Sequence, residues 1–219
     1  MIDRPLWGWA GTVKEFLSES SENWLESLTR HHVLLFNQPP SGSQFGAWKD
    51  EHKVLTQSLR DLAIAEPNAT KWGIAFEYEL PLEGGRRPDV VVLAGQAVVV
   101  LEFKQTGALR QSDRDQVIAY ARDLMEYHEK SHGKPVTPVL VLTGAKSSQH
   151  DPHLHIVEPS SLAKLLLDAA GPGEIILDEW LNSDYQPLPI LIAAARKIFQ
   201  NEPLPAIKRA LSAGIPEAV

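Results

Sequence analysis

The chain has 219 residues, 43% hydrophobic and 22% charged, with 28 acids against 21 bases for a formal charge of -7. This composition fits one globular domain with attached elements and excludes a mainly disordered chain. There is no cysteine, which excludes disulfides, zinc ribbons, thiol nucleophiles and iron–sulfur clusters and agrees with a cytoplasmic location.

No apolar run reaches the roughly 18 residues of a membrane span, and Met1-Ile2-Asp3-Arg4-Pro5 leads into no apolar signal core. Neither a membrane partner nor secretion is therefore expected. The acid excess argues against a simple basic DNA-coating module. It is compatible with carboxylates that await a cation.

In chain order, the first third reads helical. Val13, Phe16 and Leu17 precede Trp24, Leu25 and Leu28 at helical spacing, with Ser20 and Ser21 interrupting or recapping the stretch. Residues 38–43 (Gln-Pro-Pro-Ser-Gly-Ser) form a loop. A second helix carries the stripe Trp48, His52, Leu55, Leu59 and Leu62.

The period then changes to that of strands. A strand is expected over 74–80, a turn over 81–87, a strand over 88–94 with its proline at the start, and a strand over 97–104. Between the last two, Gly95-Gln96 suits a type II′ hairpin. A helix is expected over about 112–130, with Ser112 and Asp115 resembling a capping box. Further strands are expected over 139–143 and 154–157. Another helix, capped by Ser160 or Ser161, runs to Ala170. Gly171-Pro172-Gly173 breaks it, and helices follow around 190–199 and 207–211. This order predicts an α/β (α+β) body in which a mixed central sheet is flanked by helices. Three segments are expected: an N-terminal helical extension (1–45), a core (46–170) and a C-terminal helical segment (171–219).

The chemistry concentrates in Arg87-Pro88-Asp89 and Leu101-Glu102-Phe103-Lys104. Glu102 and Lys104 share a strand face. With Gly95 and Gln96 at the turn, Ala94 pairs with Ala97 and Asp89 falls opposite Glu102, at about 4.5–5.5 Å between Cβ atoms. Two opposed carboxylates repel unless a cation lies between them. Mg2+ or Mn2+ suits such oxygen donors. Lys104, one step along the same face, would reach the attacking water or a phosphate. The alternative is a frayed hairpin end with solvated charges. The neighbouring valine runs argue against it, because they belong to a sheet covered on both faces.

These residues resemble the PD-(D/E)xK nuclease superfamily, whose signature stands here as Pro88-Asp89 and Glu102-Phe103-Lys104. Gln116 and Tyr120, four apart on one helical face, resemble the Gln-x-x-x-Tyr motif of its RecB-like members. Phe76–Pro81, Arg86–Leu93, Asp115–Val117, Tyr120–Leu124, Tyr127-His128, Ser131-His132 and Pro138–Thr143 resemble a bacterial and phage-associated family in which a nuclease-like domain precedes a P-loop helicase or ATPase. The similarity covers about residues 48–143.

The resemblance implies a restriction-endonuclease-like αβββαβ core that cuts DNA with Mg2+ or Mn2+. Asp89, Glu102 and Lys104 would be catalytic, and Gln116, Tyr120 and Arg87 would contact the substrate. It also implies a further acidic metal ligand. Glu77 is favoured, Glu51 is kept, and Glu79, which would share the strand parity of Glu77, stays open. Coupling to a helicase or ATPase in DNA processing or phage defence follows from the same resemblance. No Walker A sequence is present, so the chain is expected to be an N-terminal portion or a stand-alone relative.

Weaker signals are weighed against plainer roles. His128 and His132 have zinc-compatible spacing, but Gly133 marks a helix end. His150, His153 and His155 read as a solvated loop, and most of the six tryptophans read as core or interface anchors, with base stacking weighed as the minor reading for Trp7-Gly8-Trp9. The competing class is a catalytically silent DNA- or partner-binding module of the same fold, and room for a homodimer remains. A phosphate-handling α/β enzyme is disfavoured by the lack of a glycine-rich phosphate loop.

Overall fold

Gly95 adopts φ 63° while Gln96 does not have positive φ, the pattern of a type II′ turn. The hairpin around it anchors the computed structural model, which describes residues 4–186. The helices expected around 190–199 and 207–211 lie outside the described residues. A side chain at Gly95 would collide with the Gly171 carbonyl, so the Gly-Pro-Gly breaker packs directly on the turn.

Strand β1 (Trp9–Thr12) runs into helices α1 (Val13–Ser18), α2 (Ser21–Phe36) and α3 (Gly42–Ala65). Strands β2 (Gly73–Phe76), β3 (Val90–Ala94) and β4 (Ala97–Lys104) follow, then helix α4 (Gln111–Tyr127) and strands β5 (Val136–Leu142) and β6 (His155–Val157). Helices α5 (Leu162–Ala169) and α6 (Leu177–Leu181) close the described chain. One six-stranded sheet takes the order β1-β2-β3-β4-β5-β6. Its first four strands are antiparallel, and β5 and β6 run parallel to β4. The expected mixed sheet is therefore present. Among the described residues no helix is long and apolar enough to cross a membrane.

The sheet separates two apolar layers. On one face Val90, Val92, Val99 and Leu101 pack with Phe16, Trp24, Trp48, Leu55 and Leu59, and with Leu162 and Leu166 of α5. On the other face Val91, Val98 and Val100 pack with Val117, Tyr120 and Leu124 of α4 and with Trp180. Alternation along each strand assigns the faces. Burying each Val or Leu contributes about 1.5–3 kcal/mol, so the valine runs of β3 and β4 hold the hairpin between the two layers, and the two-residue turn at Gly95-Gln96 sets its register. Residues 9–36 share this sheet and this core with the rest of the described chain.

Several local expectations are corrected. The N-terminal third is not wholly helical: β1 pairs with β2, and Thr12 then caps α1 in a capping box with Glu15. Helix α3 starts at Gly42 because the Ser41 side chain accepts from the Gln44 N–H, so the loop is shorter than expected. Strand β2 stops at Phe76. Helix α4 starts at Gln111 behind Arg110, with no side-chain cap. The Ser112–Asp115 capping box is therefore absent, and Asp115 instead accepts from Gln111. The expected helix over 112–130 ends at Tyr127, with a short 3-10 turn over Glu129–Ser131.

Candidate metal-dependent active site

The β3–β4 register pairs Val90 with Leu101 and Ala94 with Ala97. One further step brings Asp89 opposite Glu102. Both lie on the α4 face of the sheet, as does Lys104. Strands β2 and β3 end short of Glu102 and Lys104, which leaves a recess where the two layers meet.

A cavity of about 290 Å³ fills that recess, lined by Glu51, Glu77, Asp89, Glu102, Lys104, Arg87, Gln116 and Tyr120 among others. Eight of the nine site candidates read from the sequence thus line one space. Sequence reasoning did not anticipate the wall formed by Gln44, Ala47 and Trp48 of α3. Glu79 is not part of the cavity. Its presumed strand parity with Glu77 fails because the strand has already ended, and its carboxylate pairs with Arg4 at 2.6 Å.

The backbone turns at Glu77, which has φ 52°. Its N–H still donates to the Asp89 carbonyl at 2.9 Å, so the chain leaves the sheet immediately after a last ladder bond. A non-glycine residue in the left-handed region is held there by its surroundings. The Glu77 carboxylate accepts from Trp48 Nε1 at 2.7 Å and forms an ion pair with Arg87. Arg87 also donates to the Gly85 carbonyl at 3.2 Å and lies 4.9 Å over the Phe36 ring. The arginine is therefore fixed in direction at the cavity wall.

Asp89 accepts from the Phe103 N–H at 2.7 Å. Lys104 Nζ donates to Glu102 at 2.9 Å and to Gln116 Oε1 at 3.4 Å. Gln116 donates in turn to the Tyr120 hydroxyl at 3.1 Å. A continuous polar chain thus runs Glu102–Lys104–Gln116–Tyr120. Arg86 stacks 5.3 Å from the Tyr120 ring and donates to the buried Asp123 at 2.8 Å. Neither Arg86 nor Asp123 was assigned a role from the sequence. The i,i+3 spacing of Tyr120 and Asp123 on one helix was the available signal.

The electrostatics of the pocket are frustrated. Burial, and then the charges of Asp89, Glu77 and Glu102, push the Glu51 carboxyl well above its ordinary range. Burial and the charge of Glu102 push Asp89 up as well. Glu102 is raised by burial, against the opposing pull of Lys104. Burial lowers the Lys104 ammonium, but Glu102 and then Asp89 outweigh it and the group is raised, so it stays charged.

These features test the fit of a hard cation. The donor set is all carboxylate oxygen, which suits Mg2+ or Mn2+. Glu102 Oε2 is buried with no hydrogen-bond partner, and only like charges and burial act on Glu51. Among the described residues no group of three or more acidic or histidine side chains is already arranged to hold a metal ion. The reason is visible in the partners: Arg87 and Trp48 occupy Glu77, and Lys104 occupies Glu102 Oε1. Donor chemistry and charge therefore fit, and among the described residues neither Glu51 nor Asp89 is in an ion pair.

The histidines lie elsewhere. His128 is fully buried and stacks on Trp180 at 4.2 Å. The His132 ring meets the Glu126 carbonyl at 2.8 Å, so the pair does not converge on a zinc position. His150, His153 and His155 are exposed. Trp9 packs on Phe16 and Phe76 at 5.8 Å each, as a core anchor.

Comparison with models of protein families, with curated proteins and with solved structures found no match.

Proposed function

We propose that this chain is a divalent-metal-dependent deoxyribonuclease with a restriction-endonuclease-like core. The single observation that carries the reading is the convergence of Glu51, Glu77, Asp89 and Glu102 with Lys104, Gln116 and Tyr120 on one cavity. Asp89, Glu102 and Glu51 would hold Mg2+ or Mn2+, with Glu77 behind them. The ion would supply Lewis-acid polarisation of the phosphate and a more acidic bound water.

The chain's own residues do the rest. Lys104, charged and tethered between Glu102 and Gln116, offers its ammonium to the attacking water or to negative charge developing on phosphorus. Gln116 keeps that ammonium in line with Tyr120 and presents the helix face along which the strand would lie. Arg87, held by Glu77 and Gly85, keeps further donors for a phosphate oxygen. The sequence resemblance supports coupling to a helicase or ATPase in DNA processing or phage defence, and a homodimer is compatible with it.

The test is cleavage of labelled DNA by purified protein in Mg2+ or Mn2+. Cleavage is expected, and Asp89→Ala or Lys104→Ala is expected to abolish it while circular dichroism stays unchanged. Undiminished cutting by either variant sinks the assignment.

A second reading is a catalytically silent DNA- or partner-binding module. The ion pairs of Glu77 with Arg87 and of Glu102 with Lys104, which neutralise two of the four acids, favour it. Such a module gains no thermal stability from Mn2+, whereas a true site gains in proportion to the logarithm of metal concentration.

A further inference from the structure

The turn over residues 81–87 follows the buried Leu80 and ends at Arg87 in the cavity wall. It is tied at its base: Leu80 N–H donates to the Arg86 carbonyl at 2.9 Å, and Glu83 N–H to the Leu80 carbonyl at 3.2 Å. Arg86 also fastens the turn to α4 through Asp123 at 2.8 Å and to Glu83 at 3.2 Å. The tip is different. Leu82 has φ 66° and is 80% exposed.

Two neighbours with positive φ, at 68° and 82°, are the glycines Gly84 and Gly85, where that backbone is free of a Cβ clash. At position 82 the chain instead carries a branched apolar side chain in the left-handed region, which is unfavourable. Its exposure returns no burial. Folding alone would place glycine or asparagine there. A strained, solvent-facing leucine on a pinned turn points to a role in contact.

Its position narrows the contact. Gly85 lines the cavity, and three peptide units span at most about 11 Å. With about 3.4 Å per base along a strand, Leu82 stands within roughly three bases of the cavity wall at Gly85.

Resting on the nuclease reading of that site, we propose that Leu82 is a wedge. It packs against the base at a junction between paired and unpaired DNA, separates it from its neighbour, and makes junctions the preferred substrate. The chemistry is apolar contact with a base face exposed by fraying, next to the cationic pair Arg86 and Arg87.

The test compares a single strand, a blunt duplex and a splayed fork of one sequence, cut by wild type, Leu82→Ala and Leu82→Gly. The fork-to-single-strand rate ratio is expected to fall about fivefold in both variants, roughly what losing part of the burial of one leucine side chain removes. The single-strand rate is expected to hold. Leu82→Gly, which relieves the backbone, is expected to melt no lower than wild type. An unchanged ratio in both variants overturns the wedge.

A cleavage-free readout separates this idea from the reading beneath it. With 2-aminopurine at the fork junction, wild type is expected to raise its fluorescence on binding and Leu82→Ala is not. If wild type cuts no substrate in either metal, the nuclease reading fails and this signal alone judges the wedge. Equal fluorescence change in the two proteins, or none in either, overturns it.

Discussion

Replacing Trp48 by phenylalanine isolates the tie between the helical layer and the acidic pocket. Trp48 is buried, and its Nε1–H is a 2.7 Å donor to Glu77 Oε1. Phenylalanine keeps an aromatic ring in the layer but leaves that buried carboxylate oxygen without its donor. Hydrogen bonds to charged groups contribute about 1.5–3 kcal/mol, and the volume lost between indole and phenyl adds about 1 kcal/mol of cavity cost. A total near 3 kcal/mol lowers Tm by about 6–12 °C in a chain of this length. Thermal melts of metal-free Trp48→Phe and wild type at pH 7.5 read the difference. The same melts on Glu77→Gln, which keeps an acceptor for Trp48 but loses the Arg87 ion pair, separate the two ties. A Tm shift below about 2 °C in Trp48→Phe would refute the claim that this bond holds the pocket wall, since the expected loss is several-fold larger.

Two other outcomes follow from the buried charges. Burial and like charges raise the Glu51 carboxyl, so metal-free stability falls as pH climbs from 4.5 through the raised value. Glu51→Gln is therefore expected to raise the metal-free Tm at pH 8 by about 2–6 °C, with the gain vanishing near pH 4. A Tm equal to or below wild type at pH 8 contradicts this. His128 is held neutral: burial lowers its pKa from 6.5 to about 4. The unfolded chain takes up that proton first, so the contribution is complete above pH 6.5 and is lost as pH falls from 6.5 towards 4. The loss amounts to about 3 kcal/mol, and urea unfolding of wild type against His128→Gln at pH 7.5 and 4.5 measures it. Parallel declines in the two proteins would count against His128.

The hairpin was legible because the two-residue turn at Gly95-Gln96 fixes how the runs on either side pair. A slip of one residue would put Asp89 on the face opposite Glu102 and Lys104. Gln116 and Tyr120 were legible as a pair because four residues make one helical turn. The depth of the pocket was not. Glu51 reaches it only because α3 packs across the end of the sheet, and the Trp48–Glu77 bond joins residues 29 apart in sequence. Strand β1 escaped notice because Trp-Ala-Gly-Thr carries no alternating pattern and Thr12 doubles as a helix cap. The early end of β2 turns on the left-handed Glu77, whose conformation no propensity scale favours. Arg86 belongs to no motif of its own, and only the fold shows it bridging Asp123 and the Tyr120 ring.

The central claim is that the four-carboxylate recess is a cation site. Calorimetric titration of the metal-free protein with Mn2+ tests it without any substrate. The account predicts saturable binding that Asp89→Asn and Glu102→Gln each remove. Absence of binding, or binding unchanged in both variants, would contradict it.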